Sequence, residues 1–122
     1  MADIQKLLKD YLDYLEIEKN RSLKTRRNYE RHLKSFIVFG KIKNEKEIDF
    51  ETVRGFRIFL ARRGLGKNTQ AYYVIALRNF LKYLIKRDFD VLSPDKIELP
   101  KVPSRQIEII EYADLERFLA GP

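Results

Sequence analysis

Lys24, Arg27, Arg31 and Lys34 recur at spacings of three and four, which on a helix sets four cations on one stripe. Thr25 and Asn28 flank the start of that stripe. Further along, Lys67, Asn68 and Thr69 open a second segment in which Asn68, Ala71, Ile75, Asn79, Lys82 and Lys86 share a face bordered by Tyr72 and Arg78. A row of cations neutralises phosphates, while amide, hydroxyl and small apolar side chains at a helix start can meet base edges and thymine methyls. The chemistry in reach is recognition of a polyanion, duplex DNA foremost. The candidate contacts are Lys24, Thr25, Arg27, Asn28, Arg31, Lys34, Lys67, Asn68, Thr69, Tyr72, Arg78, Lys82 and Lys86. Lys82 and Lys86 are expected to hold phosphate, and the N-terminal half of their helix to approach bases.

The two segments repeat one another. Thr25, Tyr29, Leu33, Lys34, Phe36 and Ile37 have counterparts forty-four residues on in Thr69, Tyr73, Leu77, Arg78, Phe80 and Leu81. Residues 22–44 carry seven bases against Glu30 alone, and residues 64–87 carry five against no acid. Those segments hold +6 and +5 of a net charge of +7, so the rest of the chain is acidic. Charge this localised is the footprint of a nucleic-acid surface, although any single basic face can be solvated surface and nothing more. Bases in a first helical turn oppose the helix dipole at about 0.3–1 kcal/mol each, a cost an anionic partner removes. Tyr29 and Tyr73 are expected in the core. His32, the sole histidine, has no serine or carboxylate at a telling spacing and is expected at the surface without a catalytic role.

Four helices must position these faces. Ile4, Leu7, Leu8, Tyr11, Leu12 and Leu15 form the buried stripe of the first, capped by Asp3. Ser22 caps the second, which buries Tyr29, Leu33, Phe36 and Ile37 and stops at Gly40. Asp49 caps the third, with Val53, Phe56, Phe59 and Leu60 inward and Gly64 at its end. Gly66 opens the fourth, whose stripe is Tyr73, Ala76, Leu77, Phe80, Leu81 and Leu84. No segment alternates at period two, so the spacing predicts an all-α bundle of two similar helix pairs. After Arg87 the chain turns acidic, and Pro94, Pro100 and Pro103 break any helix. An extended linker is expected there, then a short helix over residues 113–119 that offers Leu115, Phe118 and Leu119 to a partner surface.

The 122 residues amount to one domain, or to one domain plus a piece of another, and there is no cysteine for a disulfide or a thiolate metal site. No apolar run approaches the roughly 18–20 residues that span a bilayer. A cytoplasmic protein with no membrane partner and no cofactor is expected.

Ser22-Leu23-Lys24-Thr25, Tyr29 and the Leu33…Phe36 run, then Gly64 to Thr69 and the block from Ala76 to Leu84, resemble the N-terminal core-binding, SAM-like domain of tyrosine recombinases, the phage-integrase and Xer-type family. Leu99-Pro100-Lys101-Val102-Pro103 is similar to the family's interdomain linker, and Asp114 to Leu119 to the first helix of its catalytic domain. The resemblance implies a four-helix SAM-like DNA-binding domain over residues 1–90, an interdomain linker over 91–111 and the start of a catalytic domain over 112–122. It implies a clamp in which the second and fourth helices meet duplex DNA, with the chain's own catalytic domain and further recombinase protomers as partners. It also implies that the family's nucleophilic tyrosine lies beyond Pro122, so this chain binds without cleaving. Two other functions fit the residues: a stand-alone helical DNA-binding regulator, and a SAM-like protein-interaction module, whose mark would be an exposed apolar patch.

Overall fold

The computed structural model describes residues 3–99, and among them there is no strand. Helix α1 (Ile4–Asp13) starts where the Asp3 carboxylate accepts the Lys6 N–H at 3.2 Å. It runs on through one wider π turn, Tyr14–Glu18, and Asn20 then reverses the chain with φ at 56°. Helix α2 (Leu23–Gly40) is capped by the Ser22 hydroxyl, which accepts from the Thr25 N–H at 3.1 Å. Helix α3 (Phe50–Arg62) is capped by Asp49, whose carboxylate accepts the Thr52 N–H at 2.7 Å. Helix α4 (Lys67–Lys86) comes after Gly66 with no side-chain cap. These are the four helices and caps that the spacing predicts, in an all-α bundle.

The left-handed residue ending α2 is Lys41, with φ at 52°, and not Gly40. Gly40 serves a different purpose. A Cβ there would lie 2.7 Å from Thr52 Cγ2, so the missing side chain lets α3 start hard against the end of α2.

Tyr11 sits at the centre of the core. Its ring centroid lies 5.3 Å from Phe80, 5.1 Å from Tyr83 and 6.3 Å from Tyr29, which joins α1, α2 and α4 through aromatic contacts. Leu33, Phe36, Val53, Phe56, Leu77, Leu81 and Leu84 complete the interior, each such side chain contributing about 1.5–3 kcal/mol by leaving water. Phe59 departs from expectation, being 37% exposed. It lies at the α2–α3 edge, its ring 5.1 Å from that of Phe39 and covered by the Arg63 guanidinium at 5.4 Å.

The chain after Arg87 does not leave the bundle at once. Asp88 turns it with φ at 69°, and Phe89, Val91 and Leu92 pack on the core. A 3₁₀ turn at Pro94–Lys96 comes next, with Pro94 buried and Ile97 only 2% exposed in the main cluster. The core therefore runs past residue 90 into the expected linker. The remainder of that linker, and the short helix expected at residues 113–119, lie outside the described residues. Among the described residues no helix is long and apolar enough to cross a membrane.

Candidate nucleic-acid interface

Three of the four cations on the α2 stripe are unencumbered. Lys24, Arg27 and Arg31 are exposed and form no ion pair among the described residues. Lys34 is exposed as well, but its Nζ lies 2.9 Å from Glu30, one helical turn back. Arg26, part of the same basic run, turns the other way. Its Nη1 donates to Asp13 at 2.8 Å and Glu16 at 3.0 Å, fastening α2 to α1, and this hydrogen bond holds the Asp13 carboxyl below its usual range.

Thr25 is not a contact. It is fully buried, and its hydroxyl faces that of Ser22 at 3.2 Å, inside the cap. Its place on the wheel, close to the direction of Tyr29 and Phe36, puts it under α2 and out of reach of a ligand. Asn28 is half-buried beside the stripe.

On α4, Lys67, Asn68, Lys82 and Lys86 are exposed, and Thr69, Tyr72, Ile75 and Arg78 half-buried. Lys86 Nζ rests 5.6 Å above the Tyr14 ring. Ala71, expected on the outer face, is 1% exposed. Seven residues separate it from Arg78, so the two share a side of the helix, and the Arg78 Nε–H donates to the Pro94 carbonyl at 3.2 Å. The returning segment lies on that side and narrows the open face of α4 to Asn68, Tyr72, Ile75, Lys82 and Lys86.

The two helices are locked together. Asn79 Nδ2 donates to the Tyr29 hydroxyl at 3.3 Å, and the His32 ring lies 4.3 Å from that of Tyr73. His32 is thus a core residue and not a surface one, 5% exposed at the α2–α4 seam. Burial, helped by the neighbouring Arg31 charge, pushes its pKa down to about 4, so the imidazole is neutral at pH 7. The sequence signal for this is its three-residue spacing from Tyr29, which places it on the flank of the apolar stripe.

A third basic surface escapes the sequence pattern. Helix α3 and its end carry Arg54, Arg57, Arg62 and Arg63 against Glu51 alone, and among the described residues none of the four forms an ion pair. Four arginines within ten residues are a visible signal, masked because the acids of residues 45–51 cancel them in a running sum. At another corner an open cleft of about 680 Å³ is lined by Asp10, Asp13, Tyr14, Ile17, Glu18, Tyr83, Lys86 and Arg87. Its aspartates are engaged by Lys6, Lys9 and Arg26, and the described residues contain no acid or histidine group able to hold a metal.

Residues 8–88, which include both basic helices, match the family model described as phage integrase, N-terminal SAM-like domain. The chain belongs to that family. It is 32% identical over 123 residues to the tyrosine recombinase XerC of Escherichia coli O157:H7 (strain EC4115), covering 98% of this chain and 41% of the relative. The XerC of strain E24377A of serotype O139:H28 is 31% identical with the same coverage. The chain thus spans about two-fifths of the length of these curated relatives. No solved structure matches it.

Tyr11, Tyr29 and Tyr83 of this phage-integrase N-terminal domain serve its packing. Tyr11 and Tyr29 are buried, and burial raises the pKa of Tyr83, whose hydroxyl accepts from Arg87 at 2.7 Å. A phenol so held is poorly disposed to attack phosphorus. What the exposed side chains offer is electrostatic, namely cations on two interlocked helices, together with the amide of Asn68.

Proposed function

We propose that this chain is the duplex-DNA-binding module of a site-specific tyrosine recombinase, gripping its site through α2 and α4. The whole protein would cleave and rejoin DNA through a separate catalytic domain and work as several protomers on one site. The present chain supplies binding without strand cleavage. The observation that carries this reading is that Lys24, Arg27 and Arg31 stand exposed on one stripe with no ion pair among the described residues, on a helix interlocked with the one bearing Asn68 and Lys82. Family membership supports it. Three phosphate contacts give a log–log salt slope of about −2.7, or an affinity loss of about 40-fold between 50 and 200 mM salt. Fluorescence anisotropy on a labelled duplex should show this, and replacing Lys24, Arg27 and Arg31 together by glutamate should abolish binding while the helical circular dichroism is kept. Affinity that ignores salt, or survives the triple substitution, refutes the reading.

The protein-interaction alternative draws on one observation, the partly exposed Phe39–Phe59 pair with Val38 75% exposed at the same end of α2. That edge suits a protein contact, separate from the cationic stripe.

A further inference from the structure

We infer that Arg78 is a positioning residue that clasps the returning chain to α4 and so sets the direction in which the linker leaves the domain. This rests on the proposed DNA-binding role only for its consequence, since the clasp itself is a matter of packing. The observations are four. The Arg78 Nε–H donates to the Pro94 carbonyl across sixteen residues of sequence. Pro94 itself is buried, and Ile97 is in the main core. The turn between them closes locally, with the Lys96 N–H on the Ser93 carbonyl and the Ile97 N–H on the Pro94 carbonyl, both at 3.0 Å. Finally, Lys46 reaches Asp90 at 3.1 Å and pins the start of the same return to the loop before α3.

A guanidinium donating to a carbonyl forms a charge-assisted bond, stronger than a neutral one. Here it joins the middle of α4 to the 3₁₀ turn at Pro94–Lys96. Immediately after Ile97 come Glu98 and Leu99, both exposed, so the described return reaches the surface within a few residues of the clasp. A domain that must close on DNA together with a second domain gains if its exit point is fixed, because a wandering linker start lowers the effective concentration of one half for the other. The sequence offers Arg78 as a candidate DNA contact at the border of the outer face, and the geometry spends its Nε–H on the chain itself.

The chain has no cysteine, so a spin-label pair can be introduced cleanly. Val38→Cys and Glu98→Cys lie at exposed positions, one at the end of α2 and one just past the core. In the full 122-residue chain, pulsed dipolar spectroscopy should give a narrow distance distribution. Arg78→Met should at least double its width without shifting the helical circular dichroism, and Arg78→Gln, which is polar but too short to reach, should do the same if methionine disturbs folding. Lys96 and Ile97 amide exchange should quicken about tenfold, with α1–α3 amides unaffected. The salt slope of duplex binding should stay at the parent value. An unchanged width in both variants, or a distribution already broad in the parent, overturns the clasp. A slope flattened by about 0.9 would show that Arg78 neutralises a phosphate instead. Absence of duplex binding in the parent would sink the proposed function and leave the distance result to stand alone.

Discussion

Lowering the pH from 7 to 5 should destabilise this protein through a single imidazole. His32 has a pKa of about 4 in the fold because burial at the α2–α4 seam disfavours its charged form, with Arg31 adding to the effect. The unfolded chain restores it to about 6.5. The folded pKa is depressed, so the unfolded state binds the extra proton, and stability is complete above pH 6.5 and lost as the pH falls towards 4. Across the whole window the gap of about 2.5 units is worth about 3.4 kcal/mol, and between pH 7 and 5 about 1.8 kcal/mol of it is lost. The carboxyls of Asp13 and Asp49 are held low by hydrogen bonds from Arg26 and Thr52. Their contributions are present above the unfolded carboxylate value near 4 and fade below it, leaving pH 5–6.5 to His32. Urea denaturation followed by circular dichroism at pH 7, 6 and 5 measures the loss. His32→Phe, which keeps a ring against Tyr73, should flatten the dependence. A parent whose stability is level from pH 7 to 5, or a His32→Phe protein that falls as steeply as the parent, refutes the argument.

Tyr11→Ala should cost about 3–5 kcal/mol in the same denaturation assay, because its ring is shared by three helices and no neighbour can collapse into the space. Gly40→Ala should destabilise by about 1–3 kcal/mol, since the new methyl meets Thr52 Cγ2. Thr52→Ser, which removes that methyl, should restore most of the loss. Thr25→Val should leave duplex affinity unchanged in titrations, because the residue is buried. In paired titrations on preferred and random duplexes, Asn68→Ala should cost about 1–3 kcal/mol on the preferred site only. Lys82→Ala should weaken both equally.

Features that depend on three or four neighbouring residues are legible in the chain itself. Asp3, Ser22 and Asp49 each accept an N–H three residues on, a contact that needs no tertiary partner, so the caps and the four helices can be read from sequence. Thr25, His32, Phe59 and Ala71 depart from the sequence expectation for a common reason. A helical wheel gives the angle of a residue to the apolar stripe, but not how many neighbours wrap the helix. Thr25 and His32 lie beside Tyr29 on α2 and are buried, Thr25 inside its own cap and His32 against Tyr73 of α4. Ala71 faces away from Leu77 and Phe80 yet is buried, on the side of α4 where Arg78 holds the Pro94 carbonyl. Phe59, at an angle that points inward on the wheel, meets Phe39, Phe56 and the Arg63 guanidinium at the open α2–α3 edge.

The repeat sharpens the point, because equivalent positions end in unlike surroundings. Lys34 and Arg78 occupy the same offset, but one lies in the solvent-facing stripe beside Glu30 and the other holds a carbonyl of the returning chain. Tyr29 is buried and accepts from Asn79, while Tyr73 is half-buried and packs its ring, tilted by 38°, against His32. The asymmetry originates in the connection that leaves each helix. After α2 the chain turns through buried Ile42 and Ile48 into α3, leaving the outer face of α2 bare. After α4 it doubles back through Pro94 and Ile97, and takes one side of α4 for the core. Similar patterns therefore yield one broad cationic stripe and one narrow mixed face. Such a division fits the proposed reading, in which α2 grips backbone and the exposed start of α4, at Asn68, meets bases.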